Sequence, residues 1–393
     1  MKIIRPTLKR IIALDMHPDV FCAAALEGSD PATAKTVWII DRLPTLQIRK
    51  WAKKKLLTTD TVVLEASGNS FEIVAILKQL GIRTIVLESQ QAGKIRNNYC
   101  NDDKSSAVKL ARAYITGLCK EVWTPDSISR DRRELYFQYR NAVKDSTRQK
   151  NRIRSFLNEH CVRLPKGTML TQPTGLNTAL KSKRWSFLQE EIIRDKFSQL
   201  WETEKRRKHY NHVIAKEVMN DPQMKSLLRI LGIRHIIAFT LVAMIGDINR
   251  FATHKKLVGY IGLSPTRTQS GNNKEGRSGG LVLKGRKDLR SLLINSAQNA
   301  LTQKNSPLHK WGWKLVIKKC KNVAAVAVAR KLAVSIWHLL KGNFTPLTEI
   351  PDSLIIKLRK ITGLIGSKEI KKKGYKTCSD YILEQSQLIT GAT

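Results

Sequence analysis

Residues 10–27, RIIALDMHPDVFCAAALE, carry two aliphatic runs, 10–16 and 20–27, each of strand length and apolar enough to be buried. A third strand is expected at 36–41, and IRKWAKKKL at 48–56 makes a short basic helix. TVVLEA supplies the next strand, NSFEIVAILKQLG a helix and RTIVLES a further strand, before an amphipathic helix opens at Asp103. Three successive strands followed by alternation with helices predict an α/β domain over residues 1–125.

Three acids stand out in that frame. Asp15 ends RIIALD, Glu65 ends TVVLE, and Asp103 lies in NDDKSSAVKLARAY. A carboxylate at the end of an apolar strand is expensive to bury unless it is paired or bound to metal. Acids brought together from strand ends and a neighbouring helix hold divalent cations and cut phosphodiesters. The element order is that of a ribonuclease-H-like domain, in which the first strand, the fourth strand and a later helix pool their acids.

Composition sets the partner. Lys and Arg number 70 against 32 Asp and Glu, a formal charge of +38, and the excess is spread along all 393 residues. Such a surplus opposes folding by self-repulsion, and its usual use is to neutralise DNA or RNA. A membrane partner is not expected: the richest apolar stretch, NVAAVAVARKLAVSIWHLL, is broken by Arg330 and Lys331. MKIIRPTLKR runs into a strand with no small-residue cleavage site, so no secretory leader is expected either. Cysteines 22, 100, 119, 161, 320 and 378 form no CxxC pair, which suggests neither a zinc ribbon nor a disulfide framework and leaves a reduced, cytoplasmic bacterial protein as the expectation. His209 and His212 are the one ligand-spaced histidine pair, on a basic helix.

Residues 131–157, DRRELYFQYRNAVKDSTRQKNRIRSFL, place Leu135, Tyr139, Ala142, Ile153 and Phe156 near helical spacing without Gly or Pro. A long charged helix is expected there, with a second helix-rich segment at about 183–220, so that 126–222 forms a helical spacer. Residues 223–345 read as a mostly helical domain. In it LLRILGIRHIIAFTLVAMIGDINRF joins two apolar helices at Gly232, either a helix–hairpin–helix whose amides meet phosphate or a plain packed turn. Downstream, Ser270 sits in a Gly-rich loop with Lys274, Arg277, Lys284, Arg286, Lys287 and Arg290 around it. A serine can carry a cut strand as a covalent ester, and cations neutralise the phosphate it attacks. Plain phosphate binding fits the same residues. The tail, 346–393, shows no interpretable pattern.

In this order the motifs resemble one family, the DEDD transposases of bacterial insertion sequences and the related pilin-gene invertases. ALDMHPDV, VVLEASGN and NDDKSSAVKLARAYITG with VWTPD are similar to its acidic motifs in a RuvC-like domain. RELYFQYRNAVKDSTRQKNRIRSFL resembles its helical segment. KKLVGYIGLSP, QSGNNKEGRSGGLVLKGRKDLR and VAVARKL resemble its C-terminal domain. The resemblance implies that Asp15, Glu65 and Asp103 bind Mg²⁺ and that Ser270 is the nucleophile, forming a 5′-phosphoserine. It also implies donor and target DNA, a non-coding bridge RNA and a homo-oligomer from dimer to tetramer as partners.

Two places depart from the family pattern, and one of them is the hairpin turn, where Arg234 and His235 stand in place of the usual Gly-containing turn. The other is the family's fourth acid, which lies three residues after the third, where this chain has Ser106. A hydroxyl is a poorer Mg²⁺ ligand and leaves the site one negative charge short. Two alternatives stay open on that ground: a DNA- and RNA-binding relative with impaired chemistry, and a nuclease or junction resolvase that works by metal alone.

Overall fold

The structure, a computed structural model, describes residues 10–89, 103–268, 277–282, 284–304, 306–343 and 351–391. The chain divides into two compact units between Ile128 and Ser129.

The first unit is built on a six-stranded mixed sheet. β1 (Ile11–Met16), β2 (Val20–Glu27), β3 (Lys35–Pro44), β4 (Thr61–Glu65), β5 (Arg83–Leu87) and β6 (Glu121–Val122) lie in the order β3-β2-β1-β4-β5-β6. β1, β2 and β3 pair antiparallel, whereas β1, β4 and β5 run parallel. Both faces are covered, so the central strands are apolar throughout rather than alternating with polar residues. Ile12, Leu14, Val62 and Leu64 pack under α1 (Ile48–Lys55) and α2 (Ser70–Gln79) through Trp51, Ile73 and Leu77. On the opposite face Ile11, Ala13, Ala24 and Val63 meet α3 (Asp103–Ile115) through Ala107, Leu110 and Ala111. Alanines on both partners let the helix lie close to the sheet.

One ion pair sets the start of two strands. Arg10 donates from Nε and Nη2 to the two oxygens of Asp60, at 2.9 and 2.7 Å, and Asp60 is only 1% exposed. The same carboxylate accepts the Leu57 amide at 2.7 Å, and Thr61 N–H donates to the Arg10 carbonyl at 3.1 Å. β1 and β4 therefore begin side by side.

The second unit opens with a helical hairpin. α4 (Ser127–Glu159) and α6 (Phe187–Asn220), of 33 and 34 residues, are each about 50 Å long at 1.5 Å per residue. They run antiparallel, as Arg132 pairs with Glu217 at 2.7 Å while Lys150 pairs with Glu204 at 3.0 Å. α5 (Pro173–Lys181) caps the far end, where Ile153, Leu157, Trp185 and Phe197 form a small core. Pro173 stands at the first turn of α5, where its missing N–H costs no helical hydrogen bond.

The near end of the hairpin joins a larger core. α7 (Pro222–Leu227), α8 (His235–Ile245), α9 (His254–Ile261), α10 (Lys287–Thr302), α11 (Pro307–Lys318) and α12 (Lys321–Leu340) share it, with β7 (Pro265–Thr268) and β8 (Arg277–Leu281) forming an antiparallel pair. α12 is the one helix among the described residues long and apolar enough to cross a membrane. Its Ala325, Val328, Leu332 and Ile336 are fully buried in this core, and its Arg330 donates to the Leu263 carbonyl at 3.0 Å. It is a core helix here.

The tail is ordered into α13 (Pro351–Ile365), α14 (Ser367–Lys372) and α15 (Cys378–Thr390). Leu354, Leu358, Ile361 and Ile365 enter the main core, and Lys216 of α6 pairs with Glu369 at 3.0 Å. His212, half of the expected histidine pair, hydrogen-bonds through Nδ1 to the Leu364 carbonyl at 2.7 Å.

Inside the hairpin, Glu204 has a side chain only 6% exposed. Burial alone would raise its pKa, but hydrogen bonds from Ser146, Arg207 and Lys150 overcome that and hold it at about 2. A depressed carboxyl contributes stability that is present above its unfolded pKa and lost as pH falls towards the folded value. Glu204→Gln should lower stability by about 2–3 kcal/mol at pH 7, since one pKa unit is worth about 1.4 kcal/mol. In urea unfolding the gap to the parent chain should shrink to roughly half by about pH 3. A gap that stays constant between these two values would show that the network is not what ties Glu204 to the fold.

Candidate catalytic acids and nucleic-acid interface

The pairing of β1 with β4 runs Ile11 with Thr61, Ile12 with Val62, Ala13 with Val63 and Leu14 with Leu64. One step further, Asp15 and Glu65 fall opposite each other at the carboxyl ends of two adjacent parallel strands. Ala13 and Val63 belong to the face covered by α3. Side chains alternate along a strand, so Asp15 and Glu65, two residues on, share that face. Both are half-buried, and each has further interactions within the chain. Two of the three predicted acids are therefore brought together.

Asp103 is the first residue of α3, the helix that packs on this face, and its side chain lies outside the described residues. Ser106 is one turn along, 8% exposed, beside the fully buried Ala107 and Leu110. The position of the missing fourth acid is thus on the covered side of α3. Among the described residues no three His, Cys, Asp or Glu side chains form a cluster able to hold a metal. The donor set is nonetheless of the right kind: two adjacent carboxylates offer hard oxygen ligands, and Mg²⁺-type ions bind through one or two carboxylates while keeping several waters.

Ser270 and Lys274 lie outside the described residues, in the stretch that links β7 to β8. The base of that stretch is tightly held. Gly285, at φ +109°, crosses Gly262, at φ +80°, so closely that a Cβ on Gly285 would sit 2.8 Å from the Tyr260 carbonyl and 2.9 Å from the Gly262 nitrogen. The Arg286 amide donates to the Tyr260 carbonyl at 2.9 Å across the same crossing. Only glycine fits either place, because a side chain would meet backbone there.

The six predicted cations divide into different kinds. Lys284 and Lys287 are exposed and open to a phosphate. Arg286 is committed to Asp288, at 3.2 and 2.8 Å, and its Nη2 lies against Met244 Sδ. Arg290 Nη1 reaches the carbonyls of Gly262 and Val282, both at 3.4 Å. Arg290 thus braces the glycine crossing and Arg286 is taken up by Asp288, jobs indistinguishable in sequence from phosphate contact. Arg277 begins β8, and its side chain is outside the described residues. Gly232, at φ +79°, is likewise packed: a Cβ there would lie 2.7 Å from the Ser296 carbonyl of α10, so this turn rests on protein.

The comparisons with known proteins cover both units. Residues 39–162 match the family model DEDD_Tnp_IS110, described as a transposase, and residues 224–311 match the Transposase IS116/IS110/IS902 family. Together the two matches span just over half of the chain. The transposase for insertion sequence element IS1111A of Coxiella burnetii is 26% identical over 74% of this chain and 80% of its own length. A probable family 20 transposase of Pseudomonas aeruginosa is 25% identical over 84% and 96%, respectively. A putative transposase, y4qE, of Sinorhizobium fredii is 23% identical over 70% and 74%. With a strand order that sets two acids side by side and both transposase signatures in the expected order, the chain belongs to the IS110-type family of DEDD insertion-sequence transposases and is a DNA transposase.

Proposed function

We propose that this transposase cuts and rejoins DNA in the cytoplasm through Ser270, with Mg²⁺ held by Asp15, Glu65 and Asp103 in a ribonuclease-H-like first unit, and that a non-coding RNA of its element guides it. The observation that carries the reading is the juxtaposition of Asp15 and Glu65 at the ends of parallel strands, on the face covered by the helix that Asp103 opens. A divalent ion bound there supplies Lewis acidity towards a phosphodiester oxygen and eases loss of the serine proton. Ser270 Oγ forms a bond to phosphorus as the P–O3′ bond breaks, and the departing 3′-oxygen takes up a proton. Attack by a 3′-hydroxyl on the resulting 5′-phosphoserine reverses the step, rejoins the strand and frees the serine. Exposed Lys284 and Lys287 stand where they can neutralise strand charge. A net charge of +38 suits a protein that must hold RNA and two DNA segments at once, as a homo-oligomer of up to four chains.

The 8% exposure of Ser106 favours a second reading, a relative that keeps nucleic-acid affinity with weakened chemistry. A carboxylate at that position would face the covered side of α3, and its absence leaves the acid set one charge short.

Two measurements separate these readings. In the first, the purified chain, its flanking RNA and matched labelled DNA are incubated with Mg²⁺ and resolved on a denaturing gel. Label should appear on protein, and Ser270→Ala should abolish it while nucleic-acid binding stays within about a factor of three, because one hydroxyl adds little to an electrostatic interface. An adduct that survives the substitution would sink the nucleophile assignment, and cutting without any adduct would select a metal-only nuclease.

The second test is Ser106→Asp. In EDTA this variant should be about 1–3 kcal/mol less stable than the parent, since an added carboxylate at a buried position lacks a compensating charge. Divalent cation should recover most of that loss and raise the rate of strand cutting, whereas Glu65→Gln should remove the recovery. A variant indifferent to the cation would show that α3 does not complete the acid set.

A further inference from the structure

In the second unit a cavity of about 730 Å³ opens between the start of α8, the end of α10 and one face of α13. Among the described residues its lining includes neither Asp15 nor Glu65, so a ligand held there would be independent of the roles given to those two acids. At its floor is Lys357, 8% exposed, whose ammonium donates to the carbonyls of Leu228 and Ile230 at 2.7 and 2.8 Å. An ammonium has three protons, and these two neutral acceptors take two of them. Burial, with repulsion from Arg234, pulls Lys357 down to about 7. A buried cation whose acceptors here carry no formal charge is a costly arrangement that a bound anion would relieve.

The rest of the lining narrows the anion. Arg234, Lys304 and Lys360 add three exposed cations against the single carboxylate of Asp352. Asn299 in the last turn of α10 and Gln303 just past its end offer carboxamides that both donate and accept, which is what the edge of a nucleobase requires. Ile356, 53% exposed although large and apolar, supplies a wall on which a flat ring can rest, with Leu364 beyond it. His235 is held near 4 by burial and by Arg234, so it enters as a neutral imidazole and adds no charge. A bare phosphate would need only the cations, and an apolar ligand would need none of them.

We propose that this cavity binds one nucleotide, its phosphate among Arg234, Lys304, Lys357 and Lys360 and its base between Ile356 and the carboxamides of Asn299 and Gln303. The volume lies within the range of small-molecule sites, and the mixture of apolar wall and few polar groups is typical of them. The nucleotide has two possible sources: a free nucleoside phosphate, or one residue turned out of a single strand, as nucleic-acid enzymes draw bases from their stack.

Calorimetric titration of the full-length chain at physiological salt tests this, with AMP, GMP, CMP, UMP, a single-stranded tetranucleotide and inorganic phosphate as probes. At least one mononucleotide or the tetranucleotide should bind about tenfold or more tighter than phosphate, an advantage of roughly 1.4 kcal/mol. The double variant Lys304→Glu/Lys360→Glu, both on exposed side chains, should lose that binding by about tenfold or more. Lys53→Glu/Lys54→Glu on α1 makes the same change in net charge and should stay within about twofold, which separates a site from general attraction. Binding of mononucleotides identifies a free ligand, and binding of the tetranucleotide alone identifies a residue within a strand. Phosphate that binds as tightly as every nucleotide, or equal losses in the two double variants, would overturn the proposal.

Discussion

The register between β1 and β4 is the constraint on which the acid site depends. Arg10 and Asp60 each stand five residues before their acid, and their paired hydrogen bonds at 2.9 and 2.7 Å hold the two strand starts level. With the starts level, Asp15 and Glu65 finish level. A slip of one residue would turn every later side chain to the opposite face, exchanging the α3 side for the α1 and α2 side. Asp60, 1% exposed, has its oxygens satisfied by Arg10 and the Leu57 amide, so the pair is both a register lock and a buried contact that must stay whole.

The first unit was the more legible part of the sequence because its strands announce themselves by composition and length. RIIALD, FCAAALE, TVVLE and RTIVL are nearly unbroken apolar runs, which is how strands buried on both faces appear. The long helices of the second unit were equally plain, since no Gly or Pro interrupts residues 127–159. The tail was missed for a physical reason: α13 has Leu354, Leu358, Ile361 and Ile365 at helical spacing, but Lys357 and Lys360 interrupt the run with charge. Lys357 is then buried, and nothing short of the carbonyls of Leu228 and Ile230 explains why. That long-range satisfaction leaves no trace in local sequence.

The cations divide along the same line. Arg286 and Arg290 look like binding residues in sequence, yet each is engaged inside the fold, as are Arg132 and Arg133 of α4. Arg133 donates to the carbonyls of Ala243 and Met244, both at 2.9 Å, and so closes the C-terminal end of α8, where carbonyls lack helical partners. A guanidinium carries five donors in a rigid fork, and this is why arginine recurs at helix ends and at the glycine crossing. The count of basic residues therefore overstates the surface offered to nucleic acid.

What remains exposed is still a large excess of one sign, and that has a consequence for stability. Glu204, Asp60, Asp288 and Glu217 are scarce anions, each already shared among cations or amides of the fold. The remaining acids are far outnumbered by Lys and Arg, 70 against 32 over the chain, so the folded chain bears a repulsion that salt or a polyanion reduces. A partner that binds only the folded form adds stability in proportion to the logarithm of its concentration over Kd. DNA that binds only the folded form would therefore add to its stability as well as serve as substrate, because it reduces the self-repulsion of a chain at +38.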